Sequence, residues 1–330
     1  MNGLVAPSDA VPPAVPDRLQ QKTISKAIDS ASLSSLSANA DVSCRAHLSL
    51  QQKKGGGSCF VKPPTENTHS QVDPQLFRGM LCRRLRVPFV DSPFYCPFCD
   101  GVSDIYGDHA LVCSGGGGRT KRHNLLRNCC ATYAARAGLN PEVEKPGLLR
   151  PRPLVGARPE CGSDSGPHGS VARRPADVYI PRLGISGPTA LDFAVTSGLR
   201  TSMLASSAAN PSAAVNTYAD TKRAHLNTAQ QCQEEGINFI PMCVDGAGGG
   251  WGDDAERVWA GLAHAIAAAS GDEVSSVTAD LYQSLSLILH REGARAVLRW
   301  LPGTATPLAS SLAAARVALV SAPGDANFVS

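Results

Sequence analysis

The 330-residue sequence has little of what most function classes need. Charge is scarce: 18% of residues are charged, and 31 Lys+Arg against 28 Asp+Glu leave a net +3, too little for a global argument toward nucleic acid, so any such argument must come from local clustering. Aromatics amount to 5%, with 8 Phe, 6 Tyr and 3 Trp. No apolar run approaches the roughly 18 to 20 residues that span a bilayer, which excludes a membrane helix. The opening stretch MNGLVAPSDAVPPAVPD has neither the basic head nor the apolar centre of a secretory signal. A soluble, intracellular chain is expected. No internal repeat is visible. Cysteine is not scarce, but its pattern excludes a disulfide framework: 11 residues, an odd number, bunched between Cys82 and Cys130. In a reducing compartment such bunching indicates metal. With 31 Gly and 24 Pro in a length that allows about two domains, compact pieces joined by irregular stretches are expected.

Residues 1–16 are Pro- and Ala-rich and read as disordered. Leu19, Ile24, Ala27, Ile28 and Ala31 recur at helical spacing and predict a helical arm, extended here over 17–95. Within it Lys53-Lys54-Gly55-Gly56-Gly57 and Pro63-Pro64 break the pattern. Phe77, Met80, Leu81 and Leu85 among Arg78, Arg83, Arg84 and Arg86 predict a short basic amphipathic helix. After four glycines at 115–118 comes a helix-like stretch without an acid between Asp108 and Glu142. It carries Arg119, Lys121, Arg122, Arg127 and Arg136, a local charge of +5. Beyond the Pro-, Gly- and Arg-rich 146–175, two apolar runs, Asp177 to Ile180 and Ala190 to Val195, flank a turn with Pro181, Gly184, Gly187 and Pro188, a hairpin signal. A helical stretch at about 213–235, a buried-type strand at 237–244 and a Gly-rich loop ending in Trp251 complete a β, β, α, β order, that of a small α/β domain. Two amphipathic helices follow over 253–302 (Val258, Leu262, Ile266; Val277, Leu281, Leu285, Ile288), then a weakly specified tail at 303–330.

Cys96, Cys99, His109 and Cys113, spaced C-x2-C-x9-H-x3-C over 96–114, supply three thiolates and an imidazole, the closed tetrahedral shell of a structural zinc. Cys129, Cys130, Cys232 and Cys243 read as core thiols. If the hairpin closes about Gly184 and Ile185, Ile180 faces Thr189, Tyr179 faces Ala190, Val178 faces Leu191 and Asp177 faces Asp192. Both aspartates then lie on one side of the sheet. Opposed carboxylates about 5 Å apart at Cβ repel unless a divalent cation lies between them, and hard oxygen ligands suit Mg²⁺ or Mn²⁺. Lys222, the only lysine after Lys145, is on the following helix, where it could fold back over the carboxylates and stabilise charge on a phosphate. Glu142 and Glu144 are candidates for a third carboxylate, with Glu144 preferred. His123 opens the basic helix, where it would contact phosphate or the site; the bland reading is a structural histidine.

The series Cys96-x2-Cys99-x9-His109-x3-Cys113, Arg122-His123-Asn124, Arg174-Pro175-Ala176-Asp177-x14-Asp192 and Lys222 resembles the C-terminal part of non-LTR retrotransposon polyproteins, a CCHC zinc knuckle followed by a restriction-like endonuclease of PD-(D/E)xK type. The likeness runs from about Leu19 to about Trp300, including Gly107-Asp108-His109-Ala110-Leu111 and Gly250-Trp251-Gly252. It implies a small restriction-endonuclease-like mixed sheet with flanking helices over 119–252, preceded by the arm and knuckle. It also implies Mg²⁺ on Asp177 and Asp192, Glu144 as the outer acid, and Lys222 as a displaced, helix-borne form of the motif lysine. DNA is the implied partner, with RNA and a separate reverse transcriptase as further ones; the DNA substrate in turn points to the nucleus, and otherwise the cytoplasm is expected. The knuckle with Arg119, Lys121, Arg122, His123 and Arg127 would grip the phosphate backbone. Two departures stand out. Ala176 separates Pro175 from Asp177, which tends to shift the strand register by one, and the polymerase's paired aspartates are missing: Tyr218-Ala219-Asp220-Thr221 has only one. A catalytically inactive nucleic-acid-binding relic is therefore the alternative expectation, and a zinc-stabilised protein-interaction domain a third.

Overall fold

The computed structural model describes residues 18–61, 71–150, 175–184 and 187–301. The expectations for 1–16, for 151–174 of the Pro-rich spacer with Arg174, for the hairpin centre at Ile185 and for the tail at 303–330 lie outside these residues. Compact units divide between Asp41 and Val42. The first holds α1 (Arg18–Ala38), the helix that the Leu19 to Leu36 periodicity predicts. Segments 42–95, 96–114, 119–252 and 253–302, separate in the sequence reading, fall within the second unit.

The second unit begins with α2 (Val42–Leu50), α3 (Ser58–Val61) and α4 (Pro74–Arg84). Asp73 caps α4, its Oδ1 accepting the Gln75 and Leu76 N–H groups at 2.9 and 3.2 Å, with Pro74 in the first turn where its missing N–H costs nothing. The apolar face of α4 differs from the expected one. Leu76, Gly79, Met80 and Arg83 are buried, while Phe77 and Leu85 face solvent. Gly79 favours this face, because a Cβ there would lie 3.3 Å from the side chain of Leu298 and 3.5 Å from that of Ala294, which pack directly over the glycine.

The two-residue strands β1 (Phe94–Tyr95) and β2 (Val102–Ser103) pair antiparallel, α5 (His109–Val112) follows, and α6 (Gly118–Arg136) starts after the glycine run. The main sheet has the order β3-β4-β5-β6, with β3 (Glu142–Val143), β4 (Val178–Ile180), β5 (Thr189–Thr196) and β6 (Asn238–Asp245). The hairpin register is the expected one: Val178↔Leu191, Tyr179↔Ala190, Ile180↔Thr189. β5 and β6 run parallel, joined by α7 (Leu204–Ala209), α8 (Ala213–Ala224) and α9 (Thr228–Glu234), and the chain ends in α10 (Asp253–Ser270) and α11 (Val274–Trp300). The fold is thus mixed α/β with a four-stranded mixed sheet.

Strand alternation decides the layers. Val178, Ile180, Leu191, Phe193, Met242 and Val244 form one face, packed on Leu126 and Cys130 of α6, Val258, Trp259 and Leu262 of α10 and Leu281, Leu285 and Ile288 of α11. On the other face Ala194 and Cys243 meet Val215 and Ala219 of α8. The predicted apolar stripes of α10 and α11 are buried. At 27 residues, α11 is about 40 Å long. Its first half belongs to the sheet core, and its second half, Ala294 to Trp300, to a core shared with α4, Cys96 and Cys113. The second of the two amphipathic helices expected over 253–302 thus ties the cysteine cluster to the sheet.

Candidate functional site

The first cluster is the Cys3His group. Ligand atoms of Cys96, Cys99, His109 and Cys113 all lie within 4.8 Å of one another. Individual separations are 3.9 Å for Cys96–Cys113, 3.6 Å for Cys113–Cys99 and 3.3 Å for Cys99 to His109 Nε2. A tetrahedron with Zn–S of about 2.3 Å and Zn–N of about 2.05 Å has edges of about 3.8 Å (S···S) and about 3.5 Å (S···N), so the group can hold a metal such as zinc. Local backbone supports this: the N–H groups of Phe98, Gly101 and Gly115 donate to the sulfurs of Cys96, Cys99 and Cys113, each at 3.4 Å. Donors aimed at sulfur favour thiolate over thiol. The Gly101 N–H, the largest influence on Cys99, lowers its thiol pKa. Burial pushes the Cys113 thiol up to about 11. Asp104 shapes the return turn, accepting the N–H groups of Tyr106 and Asp108 on Oδ1 and of His109 on Oδ2. Trp300 of α11 packs on His109 and Phe98, with ring centroids 5.8 and 5.1 Å away.

The second cluster lies where β4 stops short beside β5. Asp177, one residue before β4, donates its N–H to the Leu191 carbonyl at 3.0 Å and accepts the Phe193 N–H on Oδ2 at 2.6 Å. The extra Ala176 therefore does not turn Asp177 away, and its carboxylate lies close enough to that of Asp192 to raise the pKa of Asp192. Lys222 of α8 reaches both Asp192 oxygens, at 3.1 Å (Oδ1) and 3.0 Å (Oδ2). Asp177, Asp192 and Lys222, brought together in the sequence reading on alternation and the following helix alone, are adjacent in the fold. His123 of α6 completes the group, its Nε2 3.0 Å from Asp177 Oδ2.

Electrostatics separates the two acids. Burial pushes Asp192 up to about 6; Lys222 pulls it down and Asp177 raises it further. For Asp177 burial also opposes charge, but the His123 hydrogen bond and charge, the Phe193 N–H and Lys222 outweigh it and hold the carboxyl below its usual range. Its bond to Asp177 raises His123. Burial works against the Lys222 ammonium, yet Asp192 leaves it raised. The two acids thus titrate apart, Asp177 below and Asp192 above the usual carboxylate range, as two carboxylates close together do.

Other expectations change. Glu144, at φ +50°, brings its N–H to the Asp177 carbonyl at 2.9 Å, but its carboxylate pairs with Arg127. Glu142 pairs with Lys145. Arg122, expected on a phosphate-gripping surface, is fully buried, with Nη2 donating to the Leu111 carbonyl. It falls on the stripe Gly118, Arg122, Leu126, Cys130 that α6 buries. Arg127 is held by Glu144 and Asn128, Lys121 reaches Glu292 at 3.4 Å, and Arg119 is exposed. From Val87 to Gly118 the chain has four aspartates and no lysine or arginine, so the cysteine cluster itself carries no charge for gripping phosphate.

Sequence reasoning missed the His123–Asp177 contact, for which the only signal was a histidine on a helix start. It also missed Asp245, fully buried, whose carboxylate accepts the N–H groups of Gly198, Ala247 and Gly248 and closes the loop after β6. An aspartate directly before a glycine run is the signature of such a turn. Among the described residues no helix is long and apolar enough to cross a membrane. Comparison with protein-family models, with curated proteins and with solved structures finds no match for this chain.

Proposed function

We propose that the protein is a magnesium-dependent DNA endonuclease of retroelement descent, acting in the nucleus, with a restriction-endonuclease-like sheet and a structural zinc in the Cys3His group. The observation that supports it best is the approach of Asp177 to Asp192 under Lys222, where β4 stops short beside β5. A Mg²⁺ held there would supply an acidified water and a Lewis acid for the leaving oxygen. Asp177 and Asp192 would ligate it as carboxylates. Lys222 has three N–H donors, enough to keep Asp192 and turn one toward a phosphate oxygen, where its charge lowers the cost of the developing negative charge. Glu144 can act as the outer acid by leaving Arg127. The zinc cluster serves as a brace between α11 and α6 more than as a grip on the backbone, given its aspartates. RNA and a separate reverse transcriptase are further proposed partners.

A second reading, an inactive nucleic-acid-binding relic, draws on Ala194, which occupies the place two residues after Asp192 where the motif carries its lysine. Nicking of supercoiled plasmid by the zinc-loaded protein separates the two. The nuclease reading expects nicking with Mg²⁺, none with a chelator, and a loss of at least about 100-fold in Asp192→Asn and Lys222→Ala, the scale of losing one charge-stabilising group. Equal inertness of all three proteins, with DNA still bound, would favour the relic.

A further inference from the structure

His123 stands at the carboxylate site without a part in that chemistry, and its geometry does not suit a phosphate contact. Its Nε2–H donates to Asp177 Oδ2, and its Nδ1 lies 3.2 Å from Asn124 Oδ1, so both ring nitrogens are engaged within the protein. The oxygen it holds is the one that also accepts the Phe193 N–H at 2.6 Å. Asp177 Oδ2 thus has two donors from two elements, α6 and β5, and the free lone pairs of this carboxylate are those of Oδ1. The backbone of Asp177 is held on both sides, its N–H by the Leu191 carbonyl and its carbonyl by the Glu144 N–H, but these bonds do not set its side-chain rotamer. α6, in contrast, is anchored by its buried stripe Gly118, Arg122, Leu126 and Cys130. The imidazole is therefore presented from a helix whose position is set by the core and not by the site, the condition for a supporting group to impose geometry on a ligand.

We propose that His123 is a positioning residue for Asp177: it pins one carboxylate oxygen so that Asp177 offers a divalent cation a single oxygen, beside Asp192. This rests on the cation reading given above and not on DNA cleavage. The test is a titration of the zinc-loaded full chain with Mn²⁺, followed by the EPR signal of the free ion, in wild type, His123→Ala and His123→Gln, with metal-free DNA binding measured beside it. His123→Ala should weaken Mn²⁺ binding by roughly 10- to 100-fold, the usual cost of removing a group that orients a metal ligand. His123→Gln, whose amide N–H can still donate to Asp177, should recover most of that loss. DNA binding without metal should stay the same in all three. Unchanged Mn²⁺ binding in His123→Ala, or a glutamine variant no better than the alanine one, overturns the positioning role alone. Lowered metal-free DNA affinity with intact Mn²⁺ binding also overturns it, by making His123 a phosphate contact. A wild type that binds no Mn²⁺ beyond its zinc overturns both this role and the cation reading.

Discussion

Gly101 gives the sharpest test of the metal shell. Its backbone is fixed at both ends, the carbonyl accepting the Cys96 N–H at 2.9 Å and the N–H donating to Cys99 Sγ at 3.4 Å. A Cβ added there would lie 2.8 Å from His109 Cε1 and 3.3 Å from Cys99 Sγ. Carbon atoms in contact prefer about 3.5 to 4.0 Å, so Gly101→Ala must tilt the imidazole that carries the fourth ligand or loosen the Cys99 turn. Overpacking of this kind costs about 1 to 3 kcal/mol, and at about 1.4 kcal/mol per tenfold change that is roughly 5- to 150-fold in metal affinity. The assay is competition for zinc against a chromophoric chelator, with Co²⁺ spectra to report the ligand field. Gly261→Ala, where a Cβ meets open space on α10, is the control and should leave affinity unchanged. If Gly101→Ala binds zinc as tightly as wild type with an identical Co²⁺ spectrum, the shell is not the one described.

Two further predictions concern the interior. His290, fully enclosed with Nε2 2.7 Å from the Gly56 carbonyl, has its pKa lowered by burial from 6.5 to about 4. The unfolded chain accepts a proton below 6.5 that the native state refuses, so stability falls as pH drops through 6.5 and the loss levels off below about 4. Between pH 7.5 and 5 this amounts to about 2 kcal/mol. His290→Met should flatten the denaturant-derived stability profile by that amount relative to wild type; comparing slopes cancels the opposite trend from Asp192, and parallel profiles would refute the argument. Arg122→Met should leave DNA affinity unchanged and cost little stability, because Nε and Nη1 of this buried guanidinium find no hydrogen-bond partner among the described residues and an apolar side chain of similar length removes that burden. A steep loss of DNA affinity, measured by salt-dependent binding, would return Arg122 to the surface.

Much of the site was legible because its signals are local. Four metal ligands within 18 positions, 96 to 113, need only a turn to meet. A two-run hairpin with a central glycine fixes its own register, so Asp177 and Asp192 could be paired before any tertiary contact was known. The stripes of α10 and α11 follow from a 3.6-residue period. What was illegible depends on partners distant in sequence. Nothing near His123 indicates that Asp177, 54 residues on, will accept from it. Arg122 carries a charge that argues for solvent, yet its position one turn from Gly118 and Leu126 places it against α11, and position prevailed over residue type. On α4 the apolar residues Phe77 and Leu85 suggested one face, but Gly79 allows a closer approach of α11 on another.

Iron-directed self-cleavage tests for the proposed divalent cation between Asp177 and Asp192. Fe²⁺ in place of Mg²⁺, with ascorbate and peroxide, cuts the polypeptide close to wherever the ion binds, and mass spectrometry of the fragments locates the cuts. A cation held by the two carboxylates should give breaks around Asp177 and around Asp192 in the same molecules, suppressed by excess Mg²⁺ and lost in Asp192→Asn. Cuts confined to the Cys96–Cys113 segment, or cuts near the aspartates that survive Asp192→Asn, would contradict it.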